Sequence, residues 1–463
     1  MLRGMHANRF TLLMVLAACP ADPTDPADPT GGSTMSSAES TAPTSGLPTT
    51  TGGPATADPA TTDITSAADT TAATTAADTT ATTADETTGQ APVVCAEIDV
   101  PDANLQAAIR DALAVPEGPI SPAAALTLTT LWTSGVDSLA GIECFANLEI
   151  LRNSQGAVAD LGPLASLTAL RGLEMWNTKV TDLQPLAGLP LTFLFINDNP
   201  LQDFTPLTGH PTLERITADY SHPLDVLPFA TMPALTELTL NHCGLDDLSA
   251  LADAPKLERL EVSSNALVDL HGLEGVTTLV ELAAPNNAIT SLTPLTPLTK
   301  LEQLIVSRNQ LTGLQPLTGA AALRWLAADE NPLVSLAGLE DLPALNYLSV
   351  NATGISALLP VAPKTLQNLA ASDNEIVDLT PLANHQVLDW LSVHQNQITT
   401  LAPIADAPWV ADGCVTIEVS ANPLDPPTLD TIIPGLCADS DLLLIWEQGE
   451  CSPDSMRCAL SDP

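Results

Sequence analysis

Eight aromatic side chains, Trp132, Trp176, Phe193, Phe195, Tyr220, Trp325, Tyr347 and Trp390, have the types and spacing that could do recognition chemistry. The chain of 463 residues holds only 14 Phe, Trp and Tyr, so eight at recurring places in one pattern is a concentration. Rings exposed together on one face anchor interfaces, because each buries a large apolar area while Trp and Tyr keep a polar handle. The competing account is that rings shield neighbouring strand backbones, since cross-strand aromatic contacts stabilise a sheet without any ligand.

Catalytic chemistry has no comparable signature. The chain contains no H-E-x-x-H, G-x-S-x-G, P-loop or glycine-rich dinucleotide motif. His242 and His394 fall seven repeats apart, roughly 34 Å at sheet spacing, too far to share a metal or a substrate. Asp219, Asp329, Glu330 and Asp373 have the oxygen chemistry for weak calcium binding but lack the ordered spacing of a dedicated loop. The expectation is a non-enzyme with no cofactor and no metal. Against 55 Asp and Glu stand 14 Lys and Arg, a formal charge of -41, which excludes nucleic acid as a partner because phosphate binding depends on basic side chains.

The element that must position the rings is a repeat. LERLEVSSNALVDLHGLEGVTT from Leu257 laid above LEQLIVSRNQLTGLQPLTGAAA from Leu301 shows one apolar spacing across 22 residues. Copies begin at Leu148, Leu170, Leu191, Leu213, Leu235, Leu257, Leu279, Leu301, Leu323, Leu345, Leu366 and Leu388, with a degenerate copy from Leu126 and a stretched one near Cys414. The pattern L-x-x-L-x-L-x-x-N-x-L matches the leucine-rich-repeat signature, in which each copy adds one short strand to a continuous parallel sheet. Leucines at positions 1, 4 and 6 point inward and merge into one core. Asn at position 9, as in Asn199, Asn265, Asn309 and Asn396, satisfies backbone groups of neighbouring coils where the chain leaves the strand. Cys243 occupies this place and reads as a buried, inert thiol.

Proline at position 16, inside L-x-P-L, suits the first turn of a short helix, and the short return path predicts 3-10 turns on the convex side. This 22-residue form with D-L-x-P-L resembles the internalin type of bacterial leucine-rich repeat, and the resemblance covers residues 95 to about 425. The segment IDVPDANLQAAIRDALAV resembles the internalin-like N-terminal cap, with Asp102 capping a helix that aligns Leu105, Ile109 and Leu113. The expected fold is an α/β repeat solenoid. It is a curved right-handed coil with a continuous parallel concave β-sheet, a helical cap at the N-terminus and a disulfide-bonded cap at the C-terminus.

Cysteines cluster at the ends, as disulfides of an exported domain do. A bridge from Cys95 to Cys144 would staple the first cap to the solenoid, worth roughly 4 kcal/mol by loop entropy. Four C-terminal cysteines permit three connectivities; Cys414 with Cys437 is favoured because both precede neighbouring parallel strands, leaving Cys451 with Cys458. The opening MLRGMHANRFTLLMVLAAC has a basic start, a short apolar run and small residues before Cys19, which looks like a lipobox with Cys19 as the lipidated residue. Residues 20–92 lack Lys, Arg and aromatics and read as a disordered tether of roughly 45 to 50 Å r.m.s. length. The expected organisation is signal peptide 1–18, tether 19–92, helical cap 93–125, leucine-rich repeats 126–425 and C-terminal cap 426–463.

Positions 3, 5, 7 and 8 of each strand face outward, which gathers the rings into two patches. The first joins Trp132, Trp176, Phe193, Phe195 and Tyr220; the second sets Trp325, Tyr347 and Trp390 beside a floor of Ala327, Ser349, Ala370 and Ser392. Between them Arg215, Glu237, Arg259 and Glu281 alternate in sign on successive strands and should neutralise one another. The reading is an exported bacterial surface protein, lipid-anchored to the envelope at the outer membrane or cell surface, that binds a macromolecule on its concave face. A protein ligand is expected first, a polysaccharide second, and an envelope spacer without a ligand third.

Overall fold

The computed structural model describes residues 95–221, 225–358, 365–411, 415–438 and 442–451. The signal peptide, Cys19 and the tether lie outside these residues, as do Cys414 and Cys458. The described residues form a single sheet of sixteen strands in strict sequence order, from β1 (Thr130–Ser134) to β16 (Gly449–Cys451). Every neighbouring pair is parallel except the last, where β16 returns antiparallel on β15 (Leu442–Trp446). Each coil must return over the opposite side before it can add the next parallel strand, and the repeat supplies that path.

Leucines at positions 1, 4 and 6 build the core: Leu257, Leu260, Leu301 and Leu304 are all at most 1% exposed. The core runs unbroken from Leu105 in the first cap to Leu444 in β15. Asn309 shows how position 9 ties coils together. Its amide nitrogen donates to the carbonyls of Ala284, Val306 and Ser307, and its Oδ1 accepts the N–H of Ile289. Cys243 keeps half of this pattern, its thiol donating to the carbonyls of Ala218 and Asn241. Burial pushes that thiol up to about 11, so it stays protonated and unreactive.

A second polar row, at position 7, lies on the outward side. Asn197 Oδ1 accepts the N–H of Asp219, Asp219 Oδ1 that of Asn241, and Asn241 Oδ1 that of Ser263. The row resumes where Asp329 Oδ1 accepts the N–H of Asn351, whose own Oδ1 accepts that of Ser372. The next residue, position 8, is left-handed in each copy from Gln155 to Ala421, including Tyr220, Arg308 and Ala352. This conformation aims its N–H at the following coil, as Tyr220 N does at Asn241 O (2.9 Å). The hydrogen bond offsets the cost of a positive φ in a residue with a side chain.

The convex side carries 3-10 turns such as Gly162–Leu164, Gln184–Leu186 and Thr293–Leu295. An Asp or Ser two residues ahead accepts the turn's N–H, as Asp182 does from Gln184 and Ser291 from Thr293. This is the work of the D in D-L-x-P-L.

Helix α1 (Ala103–Leu113) closes the first end and buries Leu105 and Ile109. Asp102 Oδ1 accepts the N–H groups of Asn104 and Leu105, while its Oδ2 accepts those of Asp137 and Ser138 in the first coil. Partial burial pushes this carboxyl up, but the four backbone donors outweigh it and hold it below the usual range. Cys95 and Cys144 are bridged, with Cα atoms 5.5 Å apart.

Two expectations fail at the ends. Strand β1 pairs Thr130 with Ile150, so the first copy begins at Leu128 and not Leu126. Leu128 is 4% exposed, whereas Leu126 follows the short helix Pro122–Ala125 and is 49% exposed. At the other end Cys437 is bridged to Cys451, with Cα atoms 5.6 Å apart, which overturns both Cys414–Cys437 and Cys451–Cys458. The cause is the β15–β16 hairpin: it sets Cys451 opposite Leu444, back beside the end of the helical segment Thr428–Cys437.

Candidate functional site

The outward rows place the eight rings as follows. Trp132 is 67% exposed on β1, at position 5 once the register is corrected. The Arg152 guanidinium lies 4.4 Å from its ring centroid, and Arg152 Nε is 2.9 Å from Glu174 Oε1. Ring, guanidinium and carboxylate thus follow one another across β1, β2 (Ile150–Ser154) and β3 (Gly172–Trp176). Beside Trp132, a groove of about 610 Å³ separates α1 from β1, bounded by Asn104, Asp111 and Ser134.

Phe193 and Phe195 both stand on β4 (Phe193–Phe195), ring centroids 5.2 Å apart. The Phe193 ring lies over Gly172, where an added Cβ would force the ring to shift. Arg215 covers the pair from the other side, 5.3 and 5.7 Å from the two centroids. Tyr220 stacks on His242, 4.5 Å apart and 6° from parallel, at position 8 on successive coils. Trp176 stands at position 7 and is 44% exposed.

The expected first patch is therefore three separate groups and a lone Trp. Arg152 and Glu174 stand between Trp132 and Phe195 in the shared row, which divides what sequence position alone seemed to join. The charge row is also only partly as expected. Arg259 lies 3.1 Å from Glu237 and 3.6 Å from Glu281, but Arg215 turns to the phenylalanines. A guanidinium on a ring face keeps its solvation while covering apolar surface, which competes well with an exposed ion pair.

The second patch is more coherent. Trp325 and Tyr347, on β10 (Trp325–Ala327) and β11 (Tyr347–Ser349), stack with centroids 3.5 Å apart and planes 6° from parallel. Trp390 occupies the same row on β13 (Trp390–Ser392), with Asn368 of β12 (Asn368–Ala370) between it and Tyr347. Ala327, Ser349, Ala370 and Ser392 form a floor no more than 7% exposed. Burial pushes the Tyr347 phenol up, with Asp329 adding to it against a hydrogen bond from Ser349, so the ring is neutral.

The acidic residues considered as oxygen ligands are largely occupied. Asp329 accepts from Ser307 Oγ, Ser349 Oγ and Asn351 N, while Glu330 pairs with Arg308 at 2.8 Å. Asp219 serves the position-7 row. His394 Nε2 lies 3.8 Å from Asp373 Oδ2. Among the described residues no three His, Cys, Asp or Glu are grouped so as to hold a metal ion. The position-7 row was missed in the sequence, although recurring Asn and Asp at one place were its signal. Alternation assigns them to the solvent side without revealing that they reach the next coil's backbone.

Comparison with known proteins agrees with this geometry. No protein-family model and no curated protein matches the chain. Among solved structures, an internalin (inlF) from Listeria monocytogenes is 28% identical, with a TM-score of 0.61 over 67% of this chain and 94% of its own. A leucine-rich-repeat protein of Leptospira interrogans is 19% identical, with a TM-score of 0.55 over 69% of this chain and 97% of its own. The leucine-rich-repeat ectodomain of an Arabidopsis thaliana receptor kinase, solved in complex with Casparian strip integrity factor 2, has 19% identity and a TM-score of 0.54, covering 72% of this chain and 44% of its own. The fold is a leucine-rich-repeat solenoid. Among the described residues no helix is long and apolar enough to cross a membrane.

Proposed function

We propose that this chain is a surface lipoprotein of the bacterial envelope whose solenoid binds a protein ligand on its concave face. The observation that carries this reading is the Trp325, Tyr347 and Trp390 row over a floor of small buried side chains. Large rings beside a low floor offer a partner both anchoring area and space to enter. The 28% likeness to an internalin supports a surface-exposed binding protein, and the lipobox reading of Cys19 supplies its anchor. A solenoid fold alone selects no ligand, so the partner must be found through the rings. Binding, not catalysis, is the activity assigned.

The full-length protein, used as bait on the producing cell's surroundings, is expected to retain a protein ligand. Trp325→Ala with Trp390→Ala is expected to lower that retention at least tenfold, the usual scale for losing interface anchors of about 2 kcal/mol or more. Retention indifferent to both changes would remove the second patch from consideration. A glycan array with ring-dependent, saturable signal would replace protein by polysaccharide. Loss of fatty-acid labelling in Cys19→Ser checks the anchor.

A further inference from the structure

The second patch sets a third ring two strands from its stacked pair, and its surroundings among the described residues are acidic. Because Tyr347 stacks face to face on Trp325 of the preceding strand, its opposite face is turned toward β12 and, beyond it, Trp390. Two strand spacings separate Tyr347 from Trp390, about 9.6 Å. Asn368 stands between them in the same row, and buried Ala370 lies next along its strand. A cationic group seated above Asn368 would stand between the two rings, and a cation is drawn to an aromatic face within roughly 6 Å of its centroid.

The surroundings favour that charge. Asp389 immediately precedes the strand of Trp390, Asp373 lies at the exit of the β12 coil 3.8 Å from His394, and Glu418 pairs in register with Ser392 on the next strand. No Lys or Arg among the described residues lies beyond Arg324. The last two, Arg308 and Arg324, are engaged by Glu330 at 2.8 Å and Glu302 at 3.6 Å. The N-terminal rings differ in this respect, since Trp132, Phe193 and Phe195 already carry Arg152 or Arg215 on their faces. Among the described residues no guanidinium is seated on Trp390.

We propose that the space between Tyr347 and Trp390 takes an arginine or lysine side chain presented by a basic segment of the protein ligand, a proposal that rests on the concave-face reading above. The rings supply the cation-facing walls, and Asp373, Asp389 and Glu418 supply the field that draws a basic segment to this end of the sheet.

The test titrates the full chain with hexa-arginine and hexa-lysine peptides, followed by tryptophan fluorescence and calorimetry, with hexaglutamate as the opposite-charge probe. Saturable binding of the basic peptides at one site is expected, with none of hexaglutamate. Trp390→Ala is expected to weaken it about tenfold and Trp390→Phe less, as loss or reduction of a cation-facing ring does. Trp132→Ala is expected to leave it unchanged, and unaltered thermal melting of each variant shows that the fold is intact. Equal binding by wild type and Trp390→Ala would overturn the proposal, because general acidity would then account for the attraction. A ligand retained through the rings but not displaced by hexa-arginine would also overturn it while leaving concave-face binding standing. Hexa-arginine seated at Trp390 with no ring-dependent protein ligand would support the cation seat and count against the wider reading.

Discussion

Trp325 and Tyr347 face each other across adjacent strands with their ring centroids 3.5 Å apart, and the stack is built into the sheet by their shared register. Such a pair does two things at once: it stiffens the outward face and fixes where the free face of Tyr347 points. Its structural share is measurable by itself. In urea unfolding of Trp325→Ala, Tyr347→Ala and the double variant, a coupling of about 0.5 to 1.5 kcal/mol is expected between the rings. Strict additivity would mean that the stack contributes nothing to folding and that the two rings are held apart from each other by their own strands.

Partly buried carboxyls in the rows beside the charge row, Asp219 at position 7 and Glu261 at position 5, should make stability depend on pH. Burial pushes the carboxyls of Asp219 and Glu261 up; the charge of Asp198 adds to the rise at Asp219, and that of Asp219 to the rise at Glu261. A group whose folded pKa exceeds its unfolded value contributes stability that is present below the unfolded value and is lost as pH rises through the folded one. The window therefore opens at the ordinary carboxylate range, near 3.8 for Asp219 and 4.5 for Glu261, and extends upward. Asp219→Asn puts into the position-7 row the residue already found at Asn197, Asn241 and Asn351, which keeps the acceptor. Its melting temperature is expected to exceed that of the wild type at pH 7 and to converge with it near pH 4. A variant less stable than wild type at pH 7 would show that the carboxylate is needed for its charge.

The left-handed strand exits predict an unusual response to glycine. Ala352 is exposed with φ 53°, a conformation that costs a residue with a Cβ about 1 to 2 kcal/mol. Glycine removes that cost but loses about 0.5 to 1 kcal/mol of chain entropy, so Ala352→Gly is expected to stabilise by about 0.5 to 1 kcal/mol. At Ala383, with φ -58°, the same change is expected to destabilise by about 0.5 to 1 kcal/mol. Denaturant midpoints of the two variants moving in the same direction would contradict the argument.

Much of this molecule was legible because a 22-residue period repeats its instructions. Leu257 and Leu301 state the same inward position, and Asn309 the same bonds to its neighbours, so each copy corroborates the others. Legibility fell where repetition stops. The first copy is two residues shorter than its apparent start suggests, which moved Trp132 from position 7 to position 5. The terminal hairpin has no earlier copy to be read against, and the Cys437–Cys451 bridge follows from it. Within the repeats, period alone gives the face of a side chain but not its choice of partner. Arg215 had Glu237 beside it in register and took the rings of Phe193 and Phe195. That choice depends on reach and on the apolar surface left uncovered by Gly172, neither of which is written in a pattern of spacings.

The Cys95–Cys144 bridge spans 49 positions of sequence, and the whole of α1 and β1 lies inside its loop. Tension applied to the chain ahead of Cys95 would pass through sulfur directly into the segment after Cys144, so the enclosed helix and strand would carry no load. Under pull from that side the first cap would be a passenger, and mechanical failure would have to begin in the coils beyond it.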